Sequence, residues 1–214
     1  MDHTGIAFYI FVSFVTVAAP GSAVLYTIAS GFRGGKRCVA ACPLGTAIGC
    51  GLMAALSSTG LGALITSSPA AYVGLQVASG LVLVWLGIQS WRAGAVNLGA
   101  AGKAAKDGSE KTTFAKIFWS ALVLQASNPM LIVFLLSLMP PFIKADQPYV
   151  PQAALLCVLF MVVCFIVHFA YSAAAAFGAE RFAGPKFAFW LNRVSAVLFW
   201  ALGASVAWHA VSGA

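Results

Sequence analysis

From Ile6 to Ser30 the chain runs without a charge, yet Pro20 and Gly21 sit near the middle of the run. A helix rises about 1.5 Å per residue and needs about 20 residues to cross the hydrocarbon of a bilayer, so this run reads as a membrane span. Proline lacks a backbone donor and clashes with the preceding turn, and glycine is the next weakest helix former. In hydrocarbon each unsatisfied backbone group costs several kcal/mol. A break at such depth is tolerated only where it is buried in protein or lines a cavity.

Composition extends this to the whole chain. Of 214 residues, 61% are hydrophobic and 8% charged, where a soluble domain carries about a quarter charged. The start, MDHTG, lacks the basic region of a secretory signal, and apolar segments recur to the C-terminus, so the first segment is expected to be retained. Six segments are long enough to span, near 6–30, 38–66, 71–91, 114–143, 151–177 and 187–211. They predict an all-α integral membrane protein, one domain over residues 1–214. The stretch RAGAVNLGAAGKAAKDGSEK between the third and fourth reads as a flexible cytoplasmic linker, about 93–113, with room for a short helix.

The net charge of +7 is explained by where the cations fall. With the N-terminus outside, Arg33, Lys36, Arg37, Arg92, Lys103, Lys106, Lys111, Lys116, Arg181, Lys186 and Arg193 share one side, and Lys144 alone is on the other. That is the positive-inside pattern, and it predicts both termini outside the cytoplasm and no nucleic-acid partner. Trp91, Trp119 and Trp190 fall near the inner interface; Tyr9, Tyr72, Tyr149 and Trp208 fall near the outer one.

The linker leaves three helices on each side, about 1–92 and 114–214, so the second half enters from the opposite face. This is the arrangement of inverted-topology repeats. VAAPGSAVLY lies about fifteen residues into the first span and LQASNPMLIV about fifteen into the fourth. Helices 1 and 4 are therefore expected to be interrupted near the midplane, at Pro20–Gly21 and Asn128–Pro129. Freed amides at a half-helix N-terminus suit an anion such as a carboxylate. Ser22, Ser127 and Asn128 add hydroxyls and an amide beside the breaks. The competing reading is a pair of proline kinks that serve packing alone.

These residues resemble the lysine-exporter and homoserine/threonine-exporter (LysE/RhtB-type) family of bacterial amino-acid efflux proteins. The resemblance runs nearly end to end. It includes APGS in helix 1, GTAIGCGLMAALSSTGLGALITSSP across helix 2, LVWLGIQSWRAG closing helix 3, SNPMLIVFLLSLMPPFI in helix 4 and LNRVSAVLFWALG opening helix 6. Family members usually carry Pro-Gly-Pro, Gly-Asp and Asn-Pro-Lys where this chain has Pro20-Gly21-Ser22, Gly49-Cys50 and Asn128-Pro129-Met130. A glycine typical of helix 6 is Ala196 here. The backbone-shaping positions are kept and the ionisable ones lost. The resemblance implies export of an amino acid or derivative across the bacterial inner membrane by alternating access, with no cofactor. It implies a substrate site drawn from Pro20, Gly21, Ser22, Gly49, Cys50, Ser127, Asn128, Pro129, Met130 and Tyr171.

No Asp, Glu, Lys or Arg lies deep in the six segments, so a carboxylate relay cannot be written. His168, in helix 5, is the candidate for proton exchange, since imidazole ordinarily titrates near about 6.5. Tyr171 follows it on nearly the same face. The plainer reading of His168 is a neutral, hydrogen-bonded core residue. Five cysteines, an odd count within apolar segments, argue against a disulfide framework. Cys38 and Cys42 share a helical face where a metal or redox role would sit. A thiol transporter of the wider superfamily keeps a cysteine in the first helix of each half, and helices 1 and 4 have none. A metal exporter would want clustered ligands, whereas His3, His168 and His209 are scattered. Gly45 and Gly49 form a small-xxx-small surface, read either as packing within the chain or as a homodimer face of a carrier or scaffold. No catalytic spacing is present, so no enzyme is expected.

Overall fold

The nine prolines mark where the helices of this chain start and break. The computed structural model describes residues 3–67, 69–93, 112–144, 146–177 and 185–212. Its α-helices are α1 (His3–Ala18), α2 (Ser22–Gly34), α3 (Ala41–Ser67), α4 (Pro69–Arg92), α5 (Phe114–Ala126), α6 (Pro129–Leu138), α7 (Tyr149–Ala176) and α8 (Pro185–Ser212). Pro69, Pro129 and Pro185 open α4, α6 and α8, while Pro43 and Pro151 lie in the first turns of α3 and α7. A missing N–H costs nothing there, because those amides have no helical acceptor. Pro140 closes α6 in a short 3-10 turn, and Pro20 lies between α1 and α2. Gly35 turns the chain after α2 at φ 57°, a left-handed conformation that favours glycine.

Three helices are long and apolar enough to cross a membrane by themselves: Ala41–Gly62 of α3, all of α7, and Pro185–Val206 of α8. The α1–α2 and α5–α6 pairs pass the same test together and are bent by 66° and 64°. The interruptions expected at Pro20–Gly21 and Asn128–Pro129 thus appear as sharp bends between helices. The remaining segment, expected at 71–91, falls in the 24-residue α4. The linker expected at 93–113 lies almost wholly outside the described residues, with Lys103, Lys106, Lys111 and Arg181.

α3 and α7 form the centre. α5 and α6 lie along α3, α1 and α2 lie along α7, α3 packs on α7, and α4 pairs with α8. Small residues set the closest approaches. A Cβ on Gly31 would stand 2.6 Å from Ser172 O of α7, so α2 lies directly on that backbone. A Cβ on Gly45 would run into Phe118 O of α5, and one on Gly49 would be 2.8 Å from Gln125 Cβ. The Gly45/Gly49 surface is therefore taken up by α5 of the same chain. A homodimer through that face, the other reading of the surface, would have to displace α5.

Tyr9, expected near the outer interface, packs into the core. It is fully buried, its hydroxyl donating to Leu156 O of α7 at 3.1 Å and its ring edge-on to Phe142 at 5.1 Å. Trp91, Trp119, Trp190 and Trp208 are between 44% and 70% exposed, as residues facing lipid headgroups would be. Lys36, after α2, stands 5.0 Å over the ring of Phe177, after α7, so two of the predicted cytoplasmic ends meet at one end of the molecule.

Candidate functional site

Both bends open onto one cavity of about 190 Å³. It holds roughly six waters at about 30 Å³ each, a volume suited to a small metabolite and too small for a peptide. Thr16, Val17 and Ala19 line it from the end of α1, and Gly21, Ser22, Ala23 and Val24 from the start of α2. Gln125, Asn128, Leu131 and Phe134 come from α5 and α6. Cys50 comes from α3, and Phe160, Cys164 and His168, spaced four apart on one face of α7, complete the wall. None of these residues is Asp, Glu, Lys or Arg.

The two bends differ in how their new helix ends are satisfied. At the second, Asn128 is the N-cap of α6, its Oδ1 accepting from Met130 N at 3.1 Å. Its own N–H returns to Gln125 O at 3.1 Å. At the first, Gly21 occupies the N-cap position of α2 in an extended conformation and has no side chain to cap with. The first-turn amides of α2 therefore border the cavity without a side-chain cap. A helix N-terminus of this kind presents N–H groups and a partial positive charge of about half a unit, the complement of a carboxylate.

The carbonyl end of α1 is largely engaged. Ala19 N donates to Val15 O and Thr16 O at 3.1 and 3.2 Å, and Ser195 Oγ of α8 approaches Val15 O at 3.4 Å. Tyr171 donates its hydroxyl to Ala18 O at 2.8 Å. A break next to Pro20 strands carbonyls that the helix would otherwise satisfy, and these side chains answer the need.

Around the cavity Gln125 Nε2 donates to Cys50 Sγ at 3.0 Å, with Cys164 beside Cys50. Gly49 allows this, since α5 approaches α3 across it and brings Gln125 to the next residue along. His168 is 2% exposed, and its Nδ1 lies 2.6 Å from Thr27 Oγ1 of α2. Thr27 also donates to Ala23 O at 2.8 Å and stands 3.3 Å from Cys42 Sγ. All five cysteines are free thiols, and among the described residues no three of His, Cys, Asp and Glu gather as a metal group would.

Of the residues singled out from the sequence, the cavity brings together Gly21, Ser22, Cys50, Asn128 and His168. Pro20 shapes the first bend and Pro129 opens α6 at the second, but neither lines the cavity. Gly49 faces α5, Tyr171 stands behind α1, and Ser127 and Met130 are exposed outside the lining. Thr16, Gln125, Phe134, Phe160 and Cys164 were not foreseen. One carried a signal: Cys164 precedes His168 by four residues, a spacing that shares a helix face.

A family model described as LysE type translocator matches residues 14–209. A protein of Salmonella typhi named homoserine/homoserine lactone efflux protein is 34% identical over 200 residues, 93% of this chain and 94% of that one. Its counterpart in Salmonella typhimurium strain LT2 matches to the same extent. A membrane protein of Vibrio cholerae is 30% identical over 195 residues, 91% of this chain and 92% of its own. No solved structure gives a significant match.

Proposed function

Because the chain belongs to the LysE type translocator family, we propose that it exports a small neutral amino acid of the homoserine class, or its lactone, across the bacterial inner membrane by alternating access. Membership and the apolar helices make it an integral membrane efflux transporter. The observation that carries the finer reading is the cavity shared by the two bends, bordered by the uncapped start of α2. The carboxylate of homoserine, or the ester carbonyl of the lactone, sits on the α2 amides near Gly21 and Ser22. Asn128, Cys50 and Gln125 contact the rest. The absence of a fixed charge in the lining selects against solutes with a charged side chain, whose partner would be missing.

In this reading the halves are inverted repeats, α1–α4 against α5–α8, that rock about the cavity, with both termini outside the cytoplasm. Pro20, Ser127, Pro129, Met130, Gly49 and Tyr171 act around the solute by holding the bends and their neighbours in place. His168 is the group that exchanges a proton as the carrier turns over. The spacing of the bends supports the repeat, and the burial of His168 against the cavity supports its role.

Efflux from vesicles loaded with homoserine tests the site. Pro20→Ala and Asn128→Ala are expected to lower the initial rate at least tenfold while abundance falls less than twofold. Asn128→Ala also removes a helix cap worth about 1 kcal/mol, so Asn128→Ser, which can still cap, separates stability from contact. Full transport by both alanine variants would remove the site from these bends. His168→Gln is expected to flatten the dependence of efflux on pH; an unchanged profile assigns coupling elsewhere.

A further inference from the structure

The buried contact between Thr27 and His168 carries more than packing. A threonine hydroxyl has one proton to give and two lone pairs with which to accept. The 2.8 Å approach of Thr27 Oγ1 to Ala23 O engages that proton, because a carbonyl oxygen can only accept. With that proton donated to Ala23 O, the same oxygen accepts at 2.6 Å from His168 Nδ1, which then bears the hydrogen. In a neutral imidazole the other nitrogen is left as an acceptor. His168 lines the cavity, and the hydrogen bond its ring makes to the described residues is the one at Nδ1.

We propose that Thr27 is a positioning residue that holds His168 in its Nδ1–H form, so that the bare Nε2 lone pair receives the α-ammonium group of the solute. Several other acceptors near the bends are engaged: the Val15, Thr16 and Ala18 carbonyls within the protein, and Asn128 Oδ1 on α6. A zwitterion held by its carboxylate on the α2 amides needs an acceptor for its amine across the cavity. Ala23 ties the two together, since its amide belongs to the first turn of α2 and its carbonyl orients Thr27. The solute part of this inference rests on the exporter reading; the tautomer part does not.

The chain has three histidines, so ¹⁵N-histidine spectra of the protein in lipid nanodiscs can be assigned with the His168→Gln variant. In water neutral imidazole favours the Nε2–H form, which makes Nδ1–H a distinctive signature. Wild-type His168 is expected to show Nδ1–H, Thr27→Ser to keep it, and Thr27→Val to lose it. Added homoserine and homoserine lactone, which share the amine, should both shift the Nε2 resonance. In vesicles Thr27→Val should raise KM for both about tenfold with kcat changed less than twofold, and Thr27→Ser should restore it. An Nε2–H form in the wild type overturns the proposal, as does a transported solute that leaves Nε2 unmoved. If Nδ1–H is found but neither compound binds or moves, the exporter reading and the solute contact fall together.

Discussion

At Gly21 a Cβ would meet no atom within 4 Å, although the neighbouring turns are packed. Its backbone, at φ −139° and ψ −175°, is extended and open to any residue. A side chain there should therefore fold without strain and occupy the cavity. Gly21→Val is expected to leave the unfolding temperature and abundance unchanged while reducing homoserine efflux at least tenfold, measured in the same vesicles. Cys50 and Gln125 show the same logic in reverse. Their contact is buried, and each needs the other as partner, because an unsatisfied polar group in such surroundings costs about 1–3 kcal/mol. With Cys50 in a lining that holds no Asp, Glu, Lys or Arg, the wall offers neutral donors and acceptors.

Among the elements, the α3–α5 and α2–α7 contacts decide where the bends meet. Each is a close approach across small residues, Gly45 and Gly49 in one case and Gly31 in the other. Dispersion and short backbone distances hold such pairs, since lipid offers no hydrophobic driving force between helices. Gly45→Leu is expected to force α5 away from α3 and to lower thermal stability, by about 1–3 kcal/mol of strain from overpacking. Because Gln125 rides on α5, binding should weaken with it. Gly60, with open space at its Cβ, provides the control: Gly60→Leu should leave both stability and efflux near wild type.

For the whole molecule, orientation is expected to follow from charge. Lys36, after α2, lies against Phe177, and Arg193 of α8 stacks 3.7 Å over Trp91 of α4, so two cations lie over aromatic rings. If this end faces the cytoplasm, the turn before α7 faces outward. A membrane-impermeant thiol reagent applied to intact cells is expected to label Asp146→Cys and to spare Ser109→Cys in the linker. The opposite pattern would invert the topology and the direction of transport assigned here.

Apolar runs, prolines, glycines and the one-sided distribution of cations are written along the chain, and their consequences are local. They determined an all-helical membrane protein and the places where two helices give way. The order of motifs pointed to the family in the same way. The site was legible only in part, because a cavity wall depends on which faces meet. Gln125 and Cys50 are 75 residues apart, Thr27 and His168 are 141 apart, and no periodicity links such pairs. Close packing across glycines brought them together. It also used up Gly49 and Tyr171 as structural partners, gave α6 a cap that α2 lacks, and set His168 in the cavity wall.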